Sequence, residues 1–383
     1  MTNFDLRKHA ILLTVAGSRA YGMETPTSVL DVKGVMVPPK EYYMGTKTIE
    51  QVQEALLVEE SFWGDLTPAL KEVASLHGME GTVFEVRKFL ALAAGANPNI
   101  LDVLFTRDED VIYATAAGRH LRNVRHRFLT KKCLHTFIGY ATSQAHRIET
   151  HRKWLLNPLE HEPTREEFGL PAQHAYPKDQ IMAAIRAAKK QVDHWCIDFK
   201  DVDEATKIFI NDQLYKQLAE VGVGTDEKFT AACNLLGYET NFIDFVQKQR
   251  QYDMARDKWK SFNAWKKGRN KKRAGMEKKI GYDVKHAAHL WRLTIACRTI
   301  FESGDLHVYD PNPYVLAIRN GEVKFDELMS KFRDEKDALS GLAVDSSLPK
   351  RVDMRWLDDL SVDIVSSELE KHKRSCKTTS RMI

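Results

Sequence analysis

Up to about residue 110 the apolar positions come in short runs and alternating blocks, the spacing of strands interrupted by brief helices. Leu12–Ser18 (LLTVAGS) predicts a buried strand ending in a tight glycine turn, and the AYGM just beyond it predicts a short helix or loop. Val29–Pro39 alternates as a second strand until prolines stop it, and Gly81–Val86 reads as a third. Arg87–Ala96 switches to helical spacing, and Asn97–Phe105 predicts a capped short helix or turn. From about residue 112 the helical repeat takes over. A long amphipathic stretch runs to Trp154 and breaks at Asn157-Pro158, and further helices follow, one of them stopped by Gly304. Val352–His372 supplies a last helix in an otherwise polar tail. The expected fold class is therefore α+β: an α/β domain over 1–110, a mainly helical domain over 111–345, and a C-terminal helix and polar tail over 346–383.

With 383 residues there is room for two domains, and 43% hydrophobic against 29% charged residues is a globular balance, not a disordered one. No apolar run approaches the roughly 18 residues of a membrane span. The opening MTNFDLRKHAILLTVAGS has a charged start and a short apolar run, but it flows straight into the glycine turn without a small-residue cleavage site. It reads as a helix end followed by a buried strand, so no membrane partner is expected. Cys133, Cys196, Cys233, Cys297 and Cys376 are scattered without a Cys-x-x-Cys pair, which fits free thiols in a reducing cytoplasm. A net charge of +4 implies little by itself, whereas the crowding of cations into one late segment does.

The first chemical signal is GSRAYGMETPTSVLDVKGV, Gly17 to Val35. At Gly17-Ser18 a strand ends in a residue with almost no side chain, so phosphate oxygens can approach the backbone and receive hydrogen bonds from Ser18 and the next amides. Asp31 follows on the second strand, where positions 29 and 31 point to the same side. Two carboxylates there would hold two divalent ions about 4 Å apart for phosphoryl transfer. The plain alternative is a tight turn and an exposed strand residue.

This segment resembles the signature of the DNA polymerase β-like nucleotidyltransferases: Gly-Ser, a short helical spacer, then Ser-Asp-x-Asp. More narrowly, the chain is similar to the predicted nucleotidyltransferase branch that accompanies RNA ligases. The likeness continues through Phe84–Phe105, Gly139–Arg147, Pro163–Leu170, Trp265–Arg273 and Gly281–Leu293, in order, interrupted near 171–250 by an apparent insertion. It implies nucleotide contacts from Gly17, Ser18 and Arg19, a metal ligand at Asp31, and Mg²⁺ or Mn²⁺ with an NTP, ATP first among them. The departure is Val29, where the pattern expects a second aspartate. Valine offers no oxygen, so the chain is either a weakened enzyme, one in which a carboxylate such as Glu24 substitutes, or a binding protein without catalysis.

The superfamily also takes a third carboxylate from a neighbouring strand. Glu85 is the first candidate and Glu80 the second; the alternative for Glu85 is an ion pair with Arg87 or Lys88 at the start of the next helix. In GYDVKHAAHLWRL, Lys285, His289 and Arg292 stand at i, i+4 and i+7, a cationic stripe suited to a triphosphate. Lys258–Arg273 interleaves tryptophans with cations, so Lys258, Trp265, Lys266, Arg269, Lys272 and Arg273 are candidates for binding unpaired RNA. An amphipathic helix with core tryptophans and wet lysines explains the same pattern. The function implied is NMP transfer from an NTP to an acceptor hydroxyl, foremost an RNA 3′ end. A protein or small-molecule acceptor, or a non-catalytic RNA- or nucleotide-binding role, is the alternative.

Overall fold

Two seven-residue strands rich in aliphatic side chains make the centre of the first unit. In β1 (Ala10–Ala16) every residue is buried, as expected of a strand covered on both faces, whereas β2 (Leu30–Met36) alternates before becoming fully buried. A computed structural model describes residues 4–53, 62–173, 175–195, 225–269, 275, 277 and 279–379 of the chain. With β3 (Gln51–Gln53), β4 (Met79–Glu85) and β5 (Val111–Ala114), the strands form one sheet in the order β3-β4-β2-β1-β5. Only β2 and β4 run parallel; the other neighbours are antiparallel. The fold is α+β, a mixed five-stranded sheet with helices followed by a mostly helical region.

Strand alternation divides the sheet chemically. Leu13, Val15, Leu30, Val32, Met36, Val52, Met79 and Val83 share one face and pack with Phe62, Leu66 and Ala74 in an apolar core. Asp31, Lys33, Glu80 and Thr82 occupy the alternate positions of β2 and β4, and Gln53 does so on β3. Helix α1 (Gly17–Ala20) continues directly from β1, while α2 (Val86–Ala94) and α3 (Pro98–Phe105) follow β4. Proline and asparagine explain the entry into α3: Asn97 caps its Asn99 amide and Pro98 occupies the first turn.

Compact units divide the chain elsewhere than at residues 110 and 345. One comprises Met1–Thr142 together with Ala287–Ile383, and the other Ser143–His286. The first regains its C-terminal portion because α8 (Val284–Ser303) buries Leu290, Leu293, Cys297 and Ile300, and α10 (Met354–Thr379) buries Leu357, Leu360 and Ile364. In that unit Trp356 of α10 meets Phe128 at 5.3 Å. The second unit has its own core, where Ile181, Ala184 and Ala188 of α5 (Lys178–Trp195) meet Phe229 and Cys233 of α6 (Thr225–Leu235). Phe242 and Val246 of α7 (Thr240–Gly268) complete it. The intervening helices are α4 (Lys132–Leu156) and α9 (Phe325–Asp345). No described helix is long and apolar enough to cross a membrane.

Candidate nucleotide site

The end of β1 and the start of β2 are held together by a contact that only glycine allows. Ala16 pairs with Asp31 across the strands, and the carboxylate of Asp31 folds against the next residue, Gly17. A β-carbon on Gly17 would lie 2.0 Å from Asp31 Oδ2, and Gly17 also has φ +64°, where side chains are strained. Arg19 donates through Nη2 to the Ser28 carbonyl at 2.9 Å, tying the first turn after β1 to the approach of β2. Val29 is half-buried and precedes the first residue of β2.

Beside Asp31 opens a cleft of about 310 Å³, lined by Ala16, Gly17, Tyr21, Asp31, Lys33 and Glu80 among others. That is the lower end of the usual range for small-molecule sites, roughly 300–1,000 Å³. Parallel pairing of β2 with β4 sets Asp31 opposite Glu80 and Lys33 opposite Thr82, so two acids, a lysine and a hydroxyl share one patch. Asn99, from the first turn of α3, completes the wall and accepts from Lys33 Nζ through its carbonyl at 3.4 Å. Burial holds the Lys33 ammonium below the ordinary lysine range; Asp102 and Asp31 pull it back up in part, while Arg292 pushes it down.

Glu85 stands apart from this patch. It pairs with Met36, five residues beyond the Asp31–Glu80 pair, about 16 Å further along at roughly 3.3 Å per residue. Its strand position also shares the parity of Met79 and Val83, the core-facing set. The carboxylate is only 3% exposed and fully engaged: it caps α2 at the Lys88 amide (3.1 Å) and accepts from Tyr43 Oη and Arg87 Nε, each at 3.0 Å. Glu85 is thus placed as a helix cap, and Glu80 is the acid that faces Asp31. Sequence reasoning favoured the strand's end and had no means of reading the register between β2 and β4.

Behind the cleft wall lies a buried charged network. Tyr21 donates from its hydroxyl to Asp102 Oδ2 at 2.8 Å, and the Arg292 guanidinium lies 3.8 Å from the centre of the Tyr21 ring. Arg292 Nη1 donates to Asp102 Oδ1 at 3.4 Å and its Nη2 stands 3.2 Å from Oδ2, while Nε has no acceptor among the described residues. Burial raises the Tyr21 hydroxyl well above its ordinary value, so it remains a proton donor to Asp102. Burial is the largest single influence and opposes the charge on Arg292, but Asp102 and Tyr21 together outweigh it and the net shift is upward. Arg292 is therefore enclosed rather than presented on a helix face. His289, in the same unit, is half-buried; Lys285 is exposed and belongs to the second unit, where Asp283 caps its amide at 2.9 Å.

In the second unit Trp265 of α7 packs among aromatic side chains. Trp265 lies 5.4 Å from both His151 and Trp154 and 5.8 Å from Phe262. Arg269 covers Trp265 at 4.4 Å and pairs with Glu277, so both candidates are committed to packing, while Lys258 and Lys266 are exposed. Lys272 and Arg273 lie outside the described residues. Burial, with help from His286, lowers His151 to about 4. A histidine depressed in the folded state takes up its proton more readily when unfolded, so stability falls as pH drops from about 6.5 towards 4. Tryptophan-fluorescence unfolding curves are expected to show this loss, and His151→Phe to flatten it; an unchanged slope in the variant would remove His151 as the cause.

Residues 5–161 match the family described as the RNA repair pathway DNA polymerase beta family. Over this segment the chain is similar to the polymerase β-like nucleotidyltransferases of the RNA-ligase-associated branch. A protein of Enterobacteria phage T4, described as an uncharacterized 38.9 kDa protein in the nrdC-mobD intergenic region, is 22% identical over 366 residues. That alignment covers 93% of this chain and 96% of the phage protein. No solved structure matches.

Proposed function

We propose that this protein transfers a nucleoside monophosphate from an NTP, ATP first among them, to an RNA 3′ hydroxyl in RNA repair, breaking the α–β phosphate bond and releasing pyrophosphate. The observation that carries the reading is the Gly17–Asp31 contact at the mouth of a cleft whose opposite strand brings Glu80 into register. The family match over residues 5–161 supports the reaction class, and the RNA acceptor extends it.

The donor set suits one divalent ion better than two. Asp31 and Glu80 are direct cross-strand neighbours, Val29 contributes no oxygen, and no cluster of three or more His, Cys, Asp or Glu residues able to hold a metal occurs among the described residues. Mg²⁺ is commonly held by one or two carboxylates, with water and substrate phosphate completing its shell. Bound between Asp31 and Glu80, it would neutralise phosphate charge as a Lewis acid. Gly17 leaves the phosphate chain room at the backbone, and Asn99 and Tyr21 shape the cleft. Asp31 and Glu80 are the carboxylates within reach of the attacking hydroxyl and its proton.

Incubation with labelled NTPs, Mg²⁺ or Mn²⁺, and an RNA carrying a free 3′ hydroxyl is expected to label the RNA. Blocking that hydroxyl should abolish the product. Glu80→Ala is expected to cut the rate on the order of a hundredfold, the scale of a lost acid–base group, while Glu85→Ala chiefly lowers the melting temperature. The reverse ranking would overturn the site. Val29 favours one second reading, a protein that binds nucleotide or RNA without transfer. Transfer absent from the natural chain and gained in Val29→Asp would select it.

A further inference from the structure

We infer that the Lys33 ammonium binds the nucleotide's phosphate chain, carrying charge that a second metal ion would otherwise supply; this rests on the nucleotidyl-transfer reading above. Lys33 is two residues from Asp31 on the same strand face, is opposite Thr82, and lines the same cleft as Glu80 and Asn99. Among the described residues its one hydrogen bond, to the Asn99 carbonyl, is long at 3.4 Å, and no carboxylate stands within ion-pair distance. An ammonium has three donors, and a half-buried one such as Lys33 is costly unless an anion or several acceptors meet it. The cleft beside it supplies space for such an anion, and its other lining residues include no second cation.

The charges account for why a lysine suits this place. Two divalent ions facing three carboxylates leave one net positive charge for the substrate. One divalent ion facing Asp31 and Glu80, with Lys33 added, leaves the same. A site with valine at position 29 and lysine at position 33 therefore offers a triphosphate the attraction of a two-ion site while holding one ion. Because Lys33 is fixed in the protein, part of that attraction persists when divalent ions are removed.

The test is nucleotide affinity, measured by calorimetry on the full chain with ATP, ADP, AMP and adenosine, in EDTA and in Mn²⁺. In EDTA the natural chain is expected to bind ATP, with affinity falling as the phosphate chain shortens. Lys33→Met should weaken ATP on the order of tenfold or more, about 1.4 kcal/mol per tenfold, and leave adenosine unchanged. Lys33→Arg should retain most of the ATP affinity. Adding Val29→Asp to Lys33→Met should restore ATP binding in Mn²⁺ but not in EDTA. A natural chain that binds ATP in EDTA no better than adenosine overturns the inference even if Lys33→Met fails to fold. So does a folded Lys33→Met protein that binds ATP normally. If no nucleotide binds under either condition, the nucleotidyl-transfer reading falls with it, whereas binding indifferent to Lys33 removes this inference alone.

Discussion

Asp102→Ala is expected to destabilise the sheet-bearing unit by about 3–5 kcal/mol, the scale for breaking a buried ion pair from one side. Asp102 and Arg292 are 5% and 6% exposed, so solvent does little to screen either. Removing the carboxylate leaves the guanidinium without its counter-charge and the Tyr21 hydroxyl without its acceptor. Urea unfolding of the two proteins measures the difference. Pairing Asp102→Leu with Arg292→Met should recover much of the loss, because an apolar pair of similar volume asks for no compensating charge. A single-variant loss below about 1 kcal/mol would show that water already reaches the network. Since Tyr21 lines the cleft, the folded fraction of Asp102→Ala should also bind nucleotide more weakly.

Gly17→Ala is expected to abolish most of the activity while costing only about 1–2 kcal/mol in stability, the penalty of a left-handed residue with a side chain. The new methyl would lie 2.0 Å from Asp31 Oδ2, far inside contact distance, so the carboxylate must shift from its present position. Displacing a reacting group by about 1 Å can cost on the order of a hundredfold in rate. Nucleotide turnover compared with the melting temperature separates the two effects. If turnover falls no further than the folded fraction does, the close contact has no functional role.

The sequence makes strands and acids legible to different depths. Alternation along β2 is local, so the shared face of positions 29, 31 and 33 can be read from the order of residues. The pairing of β2 with β4 is not local: Asp31 meets Glu80 only because a parallel register is chosen across 48 intervening residues. A slip of one place would have turned Glu80 to the opposite face, and no periodicity reports that choice. Glu85 sits where a third acid is sought, at a strand's end before a helix, yet that is also where an N-cap is needed, and the cap has the carboxylate. Arg292 shows a similar limit. Its i+7 spacing from Lys285 puts it on a cationic stripe facing the triphosphate, but Asp102, far earlier in the chain, draws it inward. In α7 the interleaved tryptophans fit stacking on bases and packing on neighbours equally well, and Trp265 packs.

The first unit is built from both ends of the chain, and that orders events at the ribosome. Tyr21 and Asp102 are synthesised early, yet the cation that neutralises Asp102 appears only after all of Ser143–His286 has been made. A nascent sheet therefore carries an uncompensated acid beneath its future cleft until translation passes residue 292. Polypeptide released before that point should be the preferred substrate of proteases.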